Sequence, residues 1–85
     1  MKEFKYVITD ELGIHARPAG LLVKEAKKYT STIKLAIPEK TVDGKGIMGV
    51  MSMGAKKGHE VTVTAEGADE DAAIAGLESF FKANL

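Results

Sequence analysis

The amino-acid sequence predicts a two-layer α+β sandwich, open-faced, in which a four-stranded antiparallel sheet carries three helices on one face and meets water with the other. Three observations carry this expectation. Apolar and polar residues alternate in separated stretches, apolar residues recur at helical spacing between and after those stretches, and 85 residues suffice for one small core but not for several. The expected order is strand, helix, strand, strand, helix, strand, helix, with residues 1–85 forming a single domain.

Phe4, Tyr6 and Ile8 alternate with Lys5, Val7 and Thr9, the period of a strand with one buried face. Ala19, Leu22, Val23 and Ala26 then fall at i, i+3, i+4 and i+7, with Lys24, Lys27 and Lys28 on the outer arc, so residues 16–28 read as an amphipathic helix. Ile33, Leu35 and Ile37 alternate with Thr32, Lys34 and Ala36 as a second strand. Turn chemistry at Pro38-Glu39 and Asp43-Gly44 brackets a short third strand at Lys40-Thr41-Val42. A short helix fits Ile47 to Met53, with Val50 and Met53 facing the core and Gly54 stopping it at the C′ position. Val61, Val63 and Ala65 make the fourth strand against Glu60, Thr62, Thr64 and Glu66. Asp69 is the expected N-cap of the last helix, Glu70 and Asp71 complement its dipole, and Ala73, Ile74, Leu77, Phe80 and Phe81 supply its buried stripe.

Composition narrows the function. Cysteine is absent, which removes disulfides, thiolate catalysis and Cys-based zinc sites. Twelve basic residues balance twelve acidic ones, which disfavours a nucleic-acid binder. No apolar run approaches the roughly 18–20 residues that span a bilayer, and the opening residues lead into strand alternation instead of a signal peptide, so the expected location is the cytoplasm, without membrane insertion. Neither a metal site nor a cofactor is expected.

The informative segment is Gly13-Ile14-His15-Ala16-Arg17-Pro18-Ala19-Gly20. Proline has no N–H and is tolerated in the first helical turn, so Pro18 sets the helix start near Ala16 and places His15 at or beside the N-cap. The first backbone N–H groups of a helix lack intrahelical partners and form an anion site. A phosphoryl group on the His15 ring would therefore meet the backbone N–H groups of Ala16 and Arg17 and the Arg17 guanidinium. Nucleophile and anion cradle sit together, while no general base, Mg²⁺-binding carboxylate cluster or leaving-group acid lies in the segment. Partner proteins would have to bring the rest of the catalytic apparatus.

The His-x-Arg-Pro motif, the Gly13–Gly20 segment around it, the run Ile47-Met48-Gly49-Val50-Met51-Ser52 and the Ala65-Glu66-Gly67 turn resemble HPr, the histidine-containing phosphocarrier family of the bacterial phosphoenolpyruvate-dependent sugar phosphotransferase system. The resemblance covers essentially all 85 residues. It implies that His15 takes a phosphoryl group on Nδ1 from phospho-enzyme I and passes it to the histidine of a sugar-specific enzyme IIA. The chain would then be a phosphocarrier and not an enzyme in its own right. It further implies a partner-docking patch built from Gly20, Lys24 and Lys27 of the first helix with Lys45, Ile47, Met48, Gly49, Met51 and Ser52. Methionine suits a surface that repacks against several partners. A monomer is expected, because a small transfer protein must expose His15.

One position departs from the family pattern. Where many Gram-positive relatives carry a kinase-phosphorylated serine at the start of the short helix, this chain has Gly46, which offers no hydroxyl. The serine switch is therefore expected to be absent. The alternatives are a regulatory docking module of the same fold and a carrier for the nitrogen branch of the same phosphorelay; a small hydrolase fits least, since no triad or paired carboxylates are visible. Gly44-Lys45-Gly46-Ile47-Met48-Gly49 matches a dinucleotide fingerprint in letters, but a dinucleotide site needs a parallel strand and a full-length helix there. His59, beside Lys56-Lys57 in a loop, reads as solvated.

Charge is unevenly spread. Residues 15–57 hold nine basic and three acidic side chains, a net +6, and the remainder carries the compensating −6. The positive segment contains His15 and the proposed patch, which suits steering towards acidic partners.

Overall fold

The alternating and helical stretches resolve, in a computed structural model describing residues 1–85, into β1 (Lys2–Val7), α1 (Ala16–Ala26), β2 (Thr32–Ile37), β3 (Lys40–Asp43), α2 (Ile47–Ser52), β4 (Glu60–Glu66) and α3 (Glu70–Asn84). The four strands form one antiparallel sheet ordered β1-β4-β2-β3, and the three helices cover one face. The order matches the sequence expectation throughout. Because β3 pairs antiparallel with β2 and α2 has only six residues, the Gly44–Gly49 run has no parallel β-α-β setting in which to hold a dinucleotide.

The core lies between sheet and helices, where the inward members of each alternation meet. Ile33, Leu35, Val61, Val63 and Ala65 from the two central strands are fully buried against Leu22, Ala26, Leu77 and Phe81. Each such large apolar side chain contributes on the order of 1.5–3 kcal/mol by leaving water. On the edge strand β1, Phe4 and Tyr6 are only half-buried; both pack edge-on against Phe81, at ring-centroid distances of 5.5 and 5.6 Å.

Details differ from the sequence reading at several points; β3 extends to Asp43, and α2 ends at Ser52 and not at Met53. The strand expected to run through Ile8 ends at Val7, because Ile8 turns its backbone to the α2–β4 connection instead, donating to the His59 carbonyl at 3.0 Å and accepting from Gly58 N–H at 2.9 Å. α1 stops at Ala26 and not at residue 28, since Lys28 and Tyr29 bond three residues back, to Glu25 and Ala26, in a tightened final turn. Asp69 occupies the N-cap position of α3 but makes no capping bond, its carboxylate being taken up by Thr30 and Ser31.

Candidate functional site

The loop that delivers His15 is fixed by backbone. Gly13 has φ +67°, a conformation that side chains resist, and an added Cβ would overlap the Ala55 carbonyl oxygen and lie 2.6 Å from Lys56 Cα. The next residue, Ile14, is buried and donates its N–H to that same Ala55 carbonyl at 2.9 Å. Ala55 is brought there by Gly54, whose φ of +66° ends α2 and reverses the chain. Two glycines thus hold the approach to α1 against the end of α2.

His15 is the N-cap of α1, with extended backbone and no hydrogen bond from its ring to the helix. Its carbonyl accepts the Ala19 N–H at 2.9 Å, while the N–H groups of Ala16 and Arg17 have no acceptor and Pro18 has none to offer. The half-buried ring therefore stands beside two free backbone donors at the positive end of an 11-residue helix. Arg17 is exposed and takes part in no ion pair. His15, Arg17, Pro18 and Leu21 line an open cleft of about 210 Å³ together with Asp10 and with Ala83 and Asn84 at the end of α3. The share of α3 in this cleft was not visible in the sequence, since α3 ends nearly seventy positions away from His15.

The expected docking residues divide into two groups. An added Cβ on Gly20 would lie 3.8 Å from Ile47 Cδ1, so α1 and α2 come close where this side chain is missing. Met48 is 79% exposed and Ile47 and Met51 are each 43% exposed, whereas Val50 and Met53 point into the core. Lys24 and Lys27 are exposed and unpaired on α1.

The second group is engaged internally. The Lys45 ammonium donates to the Tyr29 carbonyl at 2.7 Å, beyond the C-terminal end of α1 and so at the opposite end of that helix from His15. Gly49 faces the sheet, where an added Cβ would lie 3.6 Å from Val42 Cβ. The Ser52 hydroxyl donates to the Gly49 carbonyl at 2.8 Å and accepts from Lys40 Nζ at 3.0 Å. Gly46 caps α2 with extended backbone and open space around it, the nearest atom to an added Cβ being the Asp43 carbonyl oxygen at 3.9 Å.

Pairing also redistributes the positive segment: Lys28 bonds Glu25 at 3.0 Å and Lys57 bonds Glu11 at 2.8 Å, whereas Arg17, Lys24, Lys27, Lys34 and Lys56 take part in no ion pair. His59 accepts the Lys56 N–H on Nδ1 at 3.1 Å, closing its own loop. No helix is long and apolar enough to cross a membrane.

Residues 2–83 match the protein family described as PTS HPr component phosphorylation site. Among solved structures, the histidine-containing phosphocarrier protein of Mycoplasma is 44% identical, with 93% of this chain and 90% of that one covered at a TM-score of 0.91. HPr of Thermoanaerobacter tengcongensis is 42% identical, covering 98% of this chain and 93% of that chain at a TM-score of 0.92. The catabolite repression protein Crh of Bacillus subtilis, seen as a domain-swapped, intertwined dimer, is 38% identical over 100% of this chain and 98% of its own, at a TM-score of 0.78.

Proposed function

Because this chain belongs to the HPr family of phosphocarrier proteins of the phosphotransferase system, we propose that it carries a phosphoryl group on His15 between enzyme I and a sugar-specific enzyme IIA in the cytoplasm. The observation that carries the reading is a histidine at a helix N-cap whose ring is unbonded and whose neighbours Ala16 and Arg17 offer two free N–H donors. A neutral ring nitrogen, Nδ1 by resemblance to the family, attacks the phosphorus held on enzyme I. The new N–P bond forms as the donor's breaks, and the donor ring recovers its electron pair. The incoming charge meets the helix N-terminus and the Arg17 guanidinium, which is free to turn towards it.

Magnitudes favour carrying over trapping. A helix terminus contributes about 0.3–1 kcal/mol to an exposed charge and up to about 2 kcal/mol to a partly buried one. That is enough to favour the adduct without preventing its onward transfer. The exposed Ile47, Met48 and Met51, with Gly20, Lys24 and Lys27, offer an apolar surface edged with positive charge for two acidic partners. Lys45, Gly49 and Ser52 support that surface by holding α2 in place. Gly46 leaves the short helix without a hydroxyl at its N-cap, so the carrier acts without the serine switch.

The carrier works as a monomer, since its transfer surface must be free to meet each partner in turn; among the relatives, both Crh and an HPr are seen as dimers. The test is a two-step transfer. Incubation with phosphoenolpyruvate, Mg²⁺ and enzyme I should load one phosphoryl group, and addition of enzyme IIA should remove it. A loaded protein that fails to discharge to any enzyme IIA would overturn the sugar-uptake role.

A further inference from the structure

The cleft that holds His15 is lined by side chains of opposite charge. Arg17 at the N-terminus of α1 and Asp10, with Ala83 and Asn84 of the last turn of α3, share it. Asp10 is held there through its backbone, whose N–H donates to the Leu85 carbonyl oxygen at 2.9 Å, the same atom that accepts the Thr9 N–H at 2.6 Å. Its carboxylate accepts one bond, from the Leu12 N–H at 2.9 Å, and has no cationic partner. Arg17 has no anionic one. Opposite charges therefore line one cleft without neutralising each other, and the unpaired carbonyls at the end of α3 add the negative end of a helix dipole to Asp10's side.

We propose that Asp10 tunes the carrier: its negative charge in the cleft it shares with His15 and Arg17 raises the free energy of phosphorylated His15 and so keeps the phosphoryl group transferable. The inference rests on phosphorylation of His15 as proposed above. Arg17 and the free N–H groups of Ala16 and Arg17 favour the arriving dianion, and Asp10 in the same cleft opposes it. Coulomb's law for a dianion and a unit charge across a small water-filled cleft gives an effect of roughly 3- to 10-fold on the phosphorylation equilibrium, diminishing with salt. The plainer role for Asp10 is the turn it closes through the Leu12 N–H. The two roles separate on substitution, because asparagine keeps the accepting oxygen and loses the charge, whereas glutamate keeps the charge.

A competition experiment decides between them. Equal amounts of the unsubstituted protein and Asp10→Asn are mixed with catalytic enzyme I and limiting phosphoenolpyruvate until the phosphoryl group is distributed between them, and the species are resolved by charge on a native gel. In each exchange the accepting His15 nitrogen supplies the electron pair of the new N–P bond and the donor nitrogen recovers the pair of the broken one. One proton leaves the accepting ring while the donor ring takes one up. The phosphoryl group should favour Asp10→Asn by roughly 3- to 10-fold at low salt and approach equal distribution as salt is raised. Asp10→Glu should share the group about equally with the unsubstituted protein at any salt. Equal distribution for Asp10→Asn at low salt, or a bias that salt does not change, would overturn the proposal while leaving His15 phosphorylation intact. Failure of the unsubstituted protein to accept the group would overturn the phosphocarrier reading and this inference with it, whereas failure of Asp10→Asn alone would overturn only the inference.

Discussion

Ser31 and Asp69, 38 residues apart, are joined twice: the Asp69 carboxylate accepts both the Ser31 backbone N–H, at 2.9 Å, and the Ser31 hydroxyl. Its second oxygen accepts the Thr30 N–H at 2.9 Å. The connection between α1 and β2 is thereby tied to the start of α3, and Ser31, 1% exposed, is the one buried polar side chain beside the core.

This arrangement makes stability sensitive to acid. Hydrogen bonds from the Ser31 hydroxyl and then the Thr30 N–H pull the Asp69 carboxyl from its ordinary 3.8 down to about 2. A carboxyl depressed on folding contributes stability above its unfolded pKa and loses it as pH falls through the folded one. The urea midpoint should therefore decline as pH is lowered from 3.8 towards about 2. Glu70, lowered chiefly by the Gly67 N–H, adds in the same direction. Asp69→Asn should flatten that part of the curve; an unchanged slope would show that other carboxyls carry it.

Gly13→Ala should destabilise the protein by at least about 2 kcal/mol, combining the cost of a positive φ for alanine with overlap against the Ala55 carbonyl. Denaturant unfolding measures it. Because that contact holds the loop before His15, phosphoryl acceptance should fall too, at protein concentrations where the variant remains folded.

Met48 and Val50 are two residues apart on α2 and should behave oppositely. Met48→Ala should leave stability within about 0.5 kcal/mol, since the side chain is 79% exposed, yet raise the KM for transfer from enzyme I. Val50→Ala, fully buried, should cost about 2 kcal/mol with little effect on transfer by the folded fraction. Parallel unfolding and transfer assays would expose any failure of this split.

Gly46→Ser should stabilise the protein by a few tenths of a kcal/mol, because the position is an extended N-cap with room for a side chain. The natural protein should not be labelled by ATP and an HPr kinase. Stoichiometric labelling of it at any hydroxyl would overturn the absence of the serine switch.

The element order was legible because each element announces itself locally. The alternation at Ile33, Leu35 and Ile37, the helical spacing from Ala19 to Ala26 and the stop at Gly54 all act within one element. Partners distant in sequence were not legible. Asp69 looks like a helix cap from its neighbours, and only the fold brings Thr30 and Ser31 to its carboxylate. The bond from the Lys45 ammonium to the Tyr29 carbonyl, 16 residues away, is likewise set by the fold. At the site, Pro18 fixed the position of His15 at the N-cap, whereas the presence of Asp10, Ala83 and Asn84 in the same cleft depends on where α3 ends in space. A carboxylate five residues before a helix-start histidine was the only local signal for it.

Mapping the phosphoryl group after incubation with phosphoenolpyruvate, Mg²⁺ and enzyme I shows whether His15 is the carrier residue. One group should be found per chain, on the His15 ring, labile in acid and stable in base, and His15→Ala should remain unlabelled. Label that survives His15→Ala, or no label on a folded protein with active enzyme I, would contradict the account.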